Sequence, residues 1–244
     1  MTEFKFKEID TAGADTLNAL ADADKFNEWM YKTIAPHLAG NILEIGSGIG
    51  NLSTFFLNSD TRISLSDIRL NYYEILISKF SGRPGIKEIL IMNLVDPDFD
   101  RKFSHLFNSF DGVFALNVIE HIEDDELAIR NCKKLLKPGG NLVILVPAYK
   151  WLYNKLDECL EHYRRYTKTS LKKLMGRHLE VIHAKYFNLA GIFGWFLVGS
   201  IMKKKIIPSS NVHIYNRLIP VFNLADKLTL NQAGLSVIVV GKKI

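Results

Sequence analysis

The chain reads as an α/β protein built on a doubly wound, mainly parallel sheet, and three observations lead there. The apolar run Ile42, Leu43 and Ile45 is followed by glycines alternating with small residues, Gly46, Gly48 and Gly50, and then by a helix-like stretch over residues 51–57. Strand-like and helix-like segments go on alternating to Pro147, which implies parallel strands joined by right-handed crossovers. Asp67 closes the second apolar segment, about 20 residues past the first glycine, where a carboxylate reaches a ribose diol.

Residues 1–39 precede this core. Within them 22–34 predicts a helix with Phe26, Met30, Thr33 and Ile34 on one side and Trp29 and Tyr31 elsewhere. Strands are expected at 42–45, 62–66, 86–92, 112–116 and 142–146. Helices are expected up to Asn58, over 71–80 and over 124–136, with a loop or short helix ending at Phe107. Asp124 and Asp125 suit the start of the long helix and Lys133, Lys134 and Lys137 its end, as the helix dipole favours. Beyond Ala148, Thr167 caps a helix through Met175, and 181–186 and 235–240 read as further strands. The intervening residues 187–234 form an apolar insertion. Its segment 188–202 carries no charge, and Lys203, Lys204 and Lys205 follow. That segment is too short to span a bilayer, which takes about 20 residues. It is either a helical cover over the site or an interfacial element with its lysines toward anionic headgroups, with Pro208 and Pro220 further on.

The ligand can be narrowed from the loop itself. Strand, glycine turn and helix bring backbone N–H groups and a helix N-terminus to a ligand, and a Cβ would block both turn and approach. Asn51 stands where a dinucleotide fingerprint would continue, and Glu44 adds a second carboxylate that would repel a pyrophosphate. A nucleoside cofactor with positive charge and no phosphate fits better.

The stretch Leu-Glu-Ile-Gly-Ser-Gly-Ile-Gly-Asn (43–51) with Asp67 resembles the first motif and acidic ribose-binding position of the class I S-adenosylmethionine-dependent methyltransferases, of the type 11/12 kind. The likeness continues through 111–122 and through the Lys137-Pro138-Gly139-Gly140 turn with its following strand, over roughly residues 38–147. It implies a seven-stranded Rossmann-like sheet in which strand 181–186 is the sixth. Strand 235–240 is then an antiparallel seventh between the fifth and sixth. It further implies a single methyltransferase domain over 1–244, with 1–39 as a helical flap over the cleft or a helix packed on the sheet edge. It assigns S-adenosylmethionine to Glu44, Gly46, Ser47, Gly48, Gly50 and Asn51, to Asp67 and Ile68, to Asn93 and Leu94, and to Asn117 and Val118. Asn93 departs from the aspartate frequent at its position in the family and keeps hydrogen-bonding capacity toward the base.

A sulfonium already makes its methyl group electrophilic. The protein must align the acceptor, exclude water and, for a hydroxyl acceptor, take its proton. His162 and His121 follow the fifth and fourth strands at the sheet edge where ligands bind, and each is either that base or a histidine holding a loop. Tyr163, Arg164, Arg165 and Tyr166, with Trp195 of the insertion, are the expected acceptor contacts. O-methylation of a small-molecule acceptor, amphipathic or lipid-linked, is the favoured reading. No metal is expected, since the acidic run 123–126 reads as a helix N-terminus. A non-catalytic cofactor- or lipid-binding domain of the same fold is the alternative. An NAD-dependent oxidoreductase is the weaker one, since none of the 9 tyrosines has a lysine four residues later.

At 244 residues, 48% hydrophobic and 23% charged, the chain can bury a core without staples. Two cysteines, Cys132 and Cys159, make neither a disulfide framework nor a metal set, and Cys132 reads as a small core residue. The start of the chain lacks a signal-like apolar stretch, so a cytoplasmic location with some membrane association is expected. The net charge of +5 permits an anionic partner without showing one. No nucleic-acid methylation motif occurs.

Overall fold

A computed structural model describes residues 11–57, 61–204 and 209–244; the expected helix end at Asn58, Lys205 and Pro208 lie outside them. Seven strands form one sheet: β1 (Asn41–Ile45), β2 (Arg62–Asp67), β3 (Ile86–Ile91), β4 (Phe110–Leu116), β5 (Leu136–Pro147), β6 (Glu180–Phe187) and β7 (Ser236–Lys242). Their order is β3-β2-β1-β4-β5-β7-β6, and only β7 runs antiparallel to its neighbours. The expected doubly wound sheet and its antiparallel seventh strand are both present.

The central strands are apolar on both faces because helices cover both. Leu43, Ile45, Val113, Ala115 and Ile144 face α6 (Asp125–Leu135) and α8 (Lys168–Met175), where Ile129, Cys132, Leu135 and Leu171 are fully buried. Ile42, Phe114, Val143 and Leu145 face the other way, toward α2 (Asp24–Ile34), α3 (Ser53–Phe56) and α4 (Leu70–Phe80). The expected start of α6 holds, since the Asp124 carboxylate accepts the Leu127 N–H at 2.9 Å. Thr167 caps α8 as expected, in a reciprocal pair with Ser170.

Two features of the N-terminal segment differ from expectation. A helix, α1 (Thr11–Ala21), precedes α2; its runs of alanine, threonine and glycine gave no clear period. Trp29, placed off the packed side of α2 by periodicity, is buried instead, with its ring 4.3 Å from that of Phe187 on β6. Periodicity marks a single packed face, whereas α2 is sandwiched between the sheet and the insertion.

The insertion comprises α9 (Leu189–Trp195), a π-helical stretch (Phe196–Ile201) and α10 (Ser209–Leu228). Asp226 ties it to the sheet, accepting the backbone N–H groups of Asn188 at 2.6 Å and Leu189 at 2.7 Å. Val212, Tyr215, Ile219, Phe222 and Asp226 recur at helical spacing on the face of α10 turned inward, and Asn216 accepts the Phe26 N–H of α2 at 3.0 Å. No described helix is long and apolar enough to cross a membrane.

Candidate active site at the carboxyl edge of the sheet

Strand order reverses between β1 and β4, with β2 on one side and β5 on the other, and ligands of open α/β sheets bind at such a point. Two groups of residues meet there.

The first is built on the glycine loop after β1. Gly46, Gly48 and Gly50 have φ of +70°, +54° and +77°, a region that side chains rarely adopt. A Cβ on Gly46 would sit 2.4 Å from Val118, so the glycine lets the end of β4 close on the loop. Asp67 is buried at the tip of β2. One of its carboxylate oxygens accepts the Gly48 N–H at 2.9 Å and the other the Arg69 N–H at 3.0 Å. Desolvation raises its pKa, and those two N–H groups oppose the rise. Each oxygen keeps acceptor capacity, so the carboxylate fits a ribose diol while it braces the loop. Asn93, after β3, accepts the Val95 N–H through its side-chain oxygen at 3.0 Å, which turns the amide NH2 toward other partners. Leu94 is buried beside it, Ile68 follows Asp67, and Asn117 adopts a left-handed φ of +53° at the end of β4. Strain of that kind concentrates at sites. Asn51 donates to the Leu17 carbonyl of α1 at 2.9 Å, which lays α1 along the loop.

The Glu44 carboxylate is 5% exposed and bonded to the hydroxyl of Ser53, with Ser47 beside it. Burial pushes its pKa up to about 7. Glu44 therefore anchors β1 to α3 beneath the loop.

The second group lies after β4 and β5. A tight turn, Ile119–His121, follows β4, and α7 (Lys155–Cys159) follows β5. His162 leaves α7 with its Nδ1 2.8 Å from the Asp157 carboxylate, and its ring centre is 4.7 Å from that of His121. Asp157 is fully buried and also accepts from Arg165 Nε at 2.7 Å. The Arg165 guanidinium donates to the Ala148 carbonyl at 3.0 Å and stacks on the Trp195 ring at 4.7 Å. Hydrogen bonds from His162 and Arg165 hold Asp157 below the usual carboxylate range against its burial. The sequence did not single out Asp157, although Asn154 and Asp157 are spaced as the capping box they form. It also passed over Glu120, which is fully buried, with both carboxylate oxygens lacking a hydrogen-bond partner. Desolvation raises the Glu120 pKa to about 8 and lowers that of His121 to about 3. The charge on Arg69 reaches the His121 ring, which ties this group to the β2 side of the cleft.

Most of the expected acceptor contacts have partners within the fold. Arg165 is held by Asp157 inside the fold, and Trp195 packs over it. Arg164 donates to the Glu123 carbonyl at 2.7 Å and pairs with Asp125 at 3.1 Å, while Tyr166 donates its hydroxyl to Asp125 at 2.7 Å. A segment of alternating charge and aromatic rings looks open in sequence, but it folds back on the start of α6. Tyr163 alone of these five is exposed.

Comparison with known proteins agrees with this geometry. Residues 43–142 match a family described as a methyltransferase domain. Polyketide synthase 19 of Gibberella fujikuroi is 31% identical over 113 residues, which covers 45% of this chain and 4% of that much longer protein. In fold, the chain is similar to an S-adenosylmethionine-dependent methyltransferase from Archaeoglobus fulgidus. The TM-score is 0.59 at 14% identity, over 90% of this chain and 94% of that one. It is also similar to phosphoethanolamine N-methyltransferase 2 of Haemonchus contortus, with TM-score 0.62 and 16% identity over 100% and 60% of the two chains. Matched core, glycine loop and strand order agree: residues 43–142 match a methyltransferase domain, and the fold is similar to that of S-adenosylmethionine-dependent methyltransferases of known structure.

Proposed function

We propose that this methyltransferase acts on a hydroxyl of an amphipathic or lipid-linked small molecule. Its cofactor, when bound over the glycine loop, supplies an electrophilic methyl group on a sulfonium. The chain's own residues then orient the acceptor oxygen and deal with its proton. The observation that carries the reading is the orientation of His162. Asp157 occupies Nδ1, which fixes the ring within reach of His121 and Glu120 and makes Nε2 the nitrogen left for a proton. A side chain held this way is suited to accept a proton at one defined nitrogen, as the base–orienter pairs of hydrolases do.

The amphipathic part rests on the insertion. On α10, Ile214, Leu218, Val221 and Leu228 form a second helical stripe, opposite the packed one and open to solvent. Phe193, at 72% exposure, Leu197 and Ile201 extend it over α9 and the π-helical stretch, and Lys203 and Lys204 border it. An exposed apolar face with a cationic edge suits an acyl chain or the headgroup region holding one.

Methyl-labelled S-adenosylmethionine tests this against two matched panels: hydroxylated acceptors carrying a long acyl or prenyl chain, and their short water-soluble counterparts. Labelled ethers from the long-chain panel are expected. Label carried to nitrogen or carbon, or equal transfer to the short acceptors, would contradict the reading.

A further inference from the structure

We infer that Glu120, His121 and His162 bind one divalent transition-metal cation. Each offers a ligand atom, and the three atoms lie within 4.8 Å of one another. Ligand–metal bonds of about 2.0–2.2 Å close such a set after small side-chain rotations. Two imidazoles and one carboxylate suit first-row ions such as Fe2+, Co2+ or Zn2+ better than Mg2+ or Ca2+. Glu120 and His162 are buried and His121 is half-buried.

Two independent features support a cation here. Glu120 is fully buried and neither of its oxygens has a hydrogen-bond partner. Arg165, whose charge reaches Glu120, is committed to Asp157, so the buried carboxylate lacks a counter-ion of its own. The surroundings of the histidines are those that metal ligands have. Asp157 accepts from His162 Nδ1 and is itself held by Arg165, the carboxylate–histidine arrangement that fixes a ligand's tautomer. The backbone carbonyls of Leu160 and Asn117 lie beside the His121 ring. The sequence expectation of no metal looked to the acidic run at 123–126; the ligands lie just before it and some forty residues after it.

The role of the ion, though not its binding, rests on the proposed hydroxyl acceptor. A cation there would bind the acceptor oxygen and raise the acidity of its proton. His162 would then hold the ion, and the ion would take over the activation assigned above to its imidazole.

The test uses Co2+ alone, without cofactor or acceptor, on protein dialysed against chelator. One equivalent should bind with visible d–d absorption, and Zn2+ should displace it. Glu120→Gln, which is nearly isosteric and cannot ionise, should fold and lose at least about 10-fold in affinity; Asp157→Asn, which loosens the hold on His162, should lose about 10- to 100-fold. Absence of a Co2+ spectrum, or the same Co2+ affinity in wild type, Glu120→Gln and His162→Gln, would overturn the inference and leave Glu120 a protonated buried acid. Co2+ binding without methyl transfer to hydroxyls would keep the metal site and sink the functional reading. Full turnover of chelated protein that binds no Co2+ would do the reverse.

Discussion

At the scale of single residues, the site is assembled from side chains that hold one another before they hold a ligand. Asp157 positions His162, and Arg165 with Trp195 positions Asp157. Asp157→Asn should therefore lower kcat by about 10²–10⁴ while affinity for S-adenosylhomocysteine stays within twofold. Circular dichroism on the same sample checks that the fold survives. Equal losses in kcat and cofactor affinity would show a merely structural role. Glu44 gives a second residue-scale prediction, with a definite sign. Its folded pKa of about 7 lies above the ordinary 4.5, so the fold prefers the protonated form. Below the ordinary value both states are protonated and nothing is lost. As pH rises toward 7 the unfolded chain ionises first, and stability falls by on the order of 3 kcal/mol. Glu44→Gln keeps an acceptor for Ser53 and cannot ionise, so thermal melts between about pH 5 and pH 7 should show the variant gaining on wild type. Parallel melting curves would refute the assignment. These couplings were hard to read from sequence. Glu120 and Asp157 stand far apart in the chain, and a buried carboxylate looks like any surface one until its neighbours are known. The glycine loop and Asp67 were legible because each needs only its own strand and turn.

The elements divide in the same way. Strands β1 to β5 and helices α4 and α6 follow from local period, since each presents one apolar pattern to one layer. Trp29 escaped because α2 is covered by both β6 and α10, partners more than a hundred residues away. Of the insertion, the apolar character was plain but the shape was not. The inward stripe of α10 and its bare stripe carry similar residues, so only the packing tells them apart. The bare stripe yields an element-scale prediction. Leu218→Glu and Phe193→Glu should fold with melting temperatures close to wild type, because both side chains are exposed. Both should lose co-sedimentation with vesicles containing anionic lipid, and raised salt should weaken what remains by screening Lys203 and Lys204. Unchanged sedimentation of both variants would dismiss a lipid-facing role for this surface.

For the whole molecule, the sheet order places a glycine loop, an acidic strand tip and a histidine pair around one reversal of strand order. A fold of this type hosts many chemistries, so the account stands on what binds at that edge rather than on architecture. Asp67 sits at the junction, since it closes β2, holds the loop through Gly48 and retains acceptor capacity for a ribose. Calorimetric titration of S-adenosylhomocysteine into wild type and Asp67→Asn is the most direct measurement. The account predicts one site per chain in the wild type, no comparable binding of NAD, and a loss of about 1.5–3 kcal/mol in the variant, roughly 10- to 150-fold. Equal affinity in the two proteins, or tighter binding of NAD than of S-adenosylhomocysteine, would contradict it.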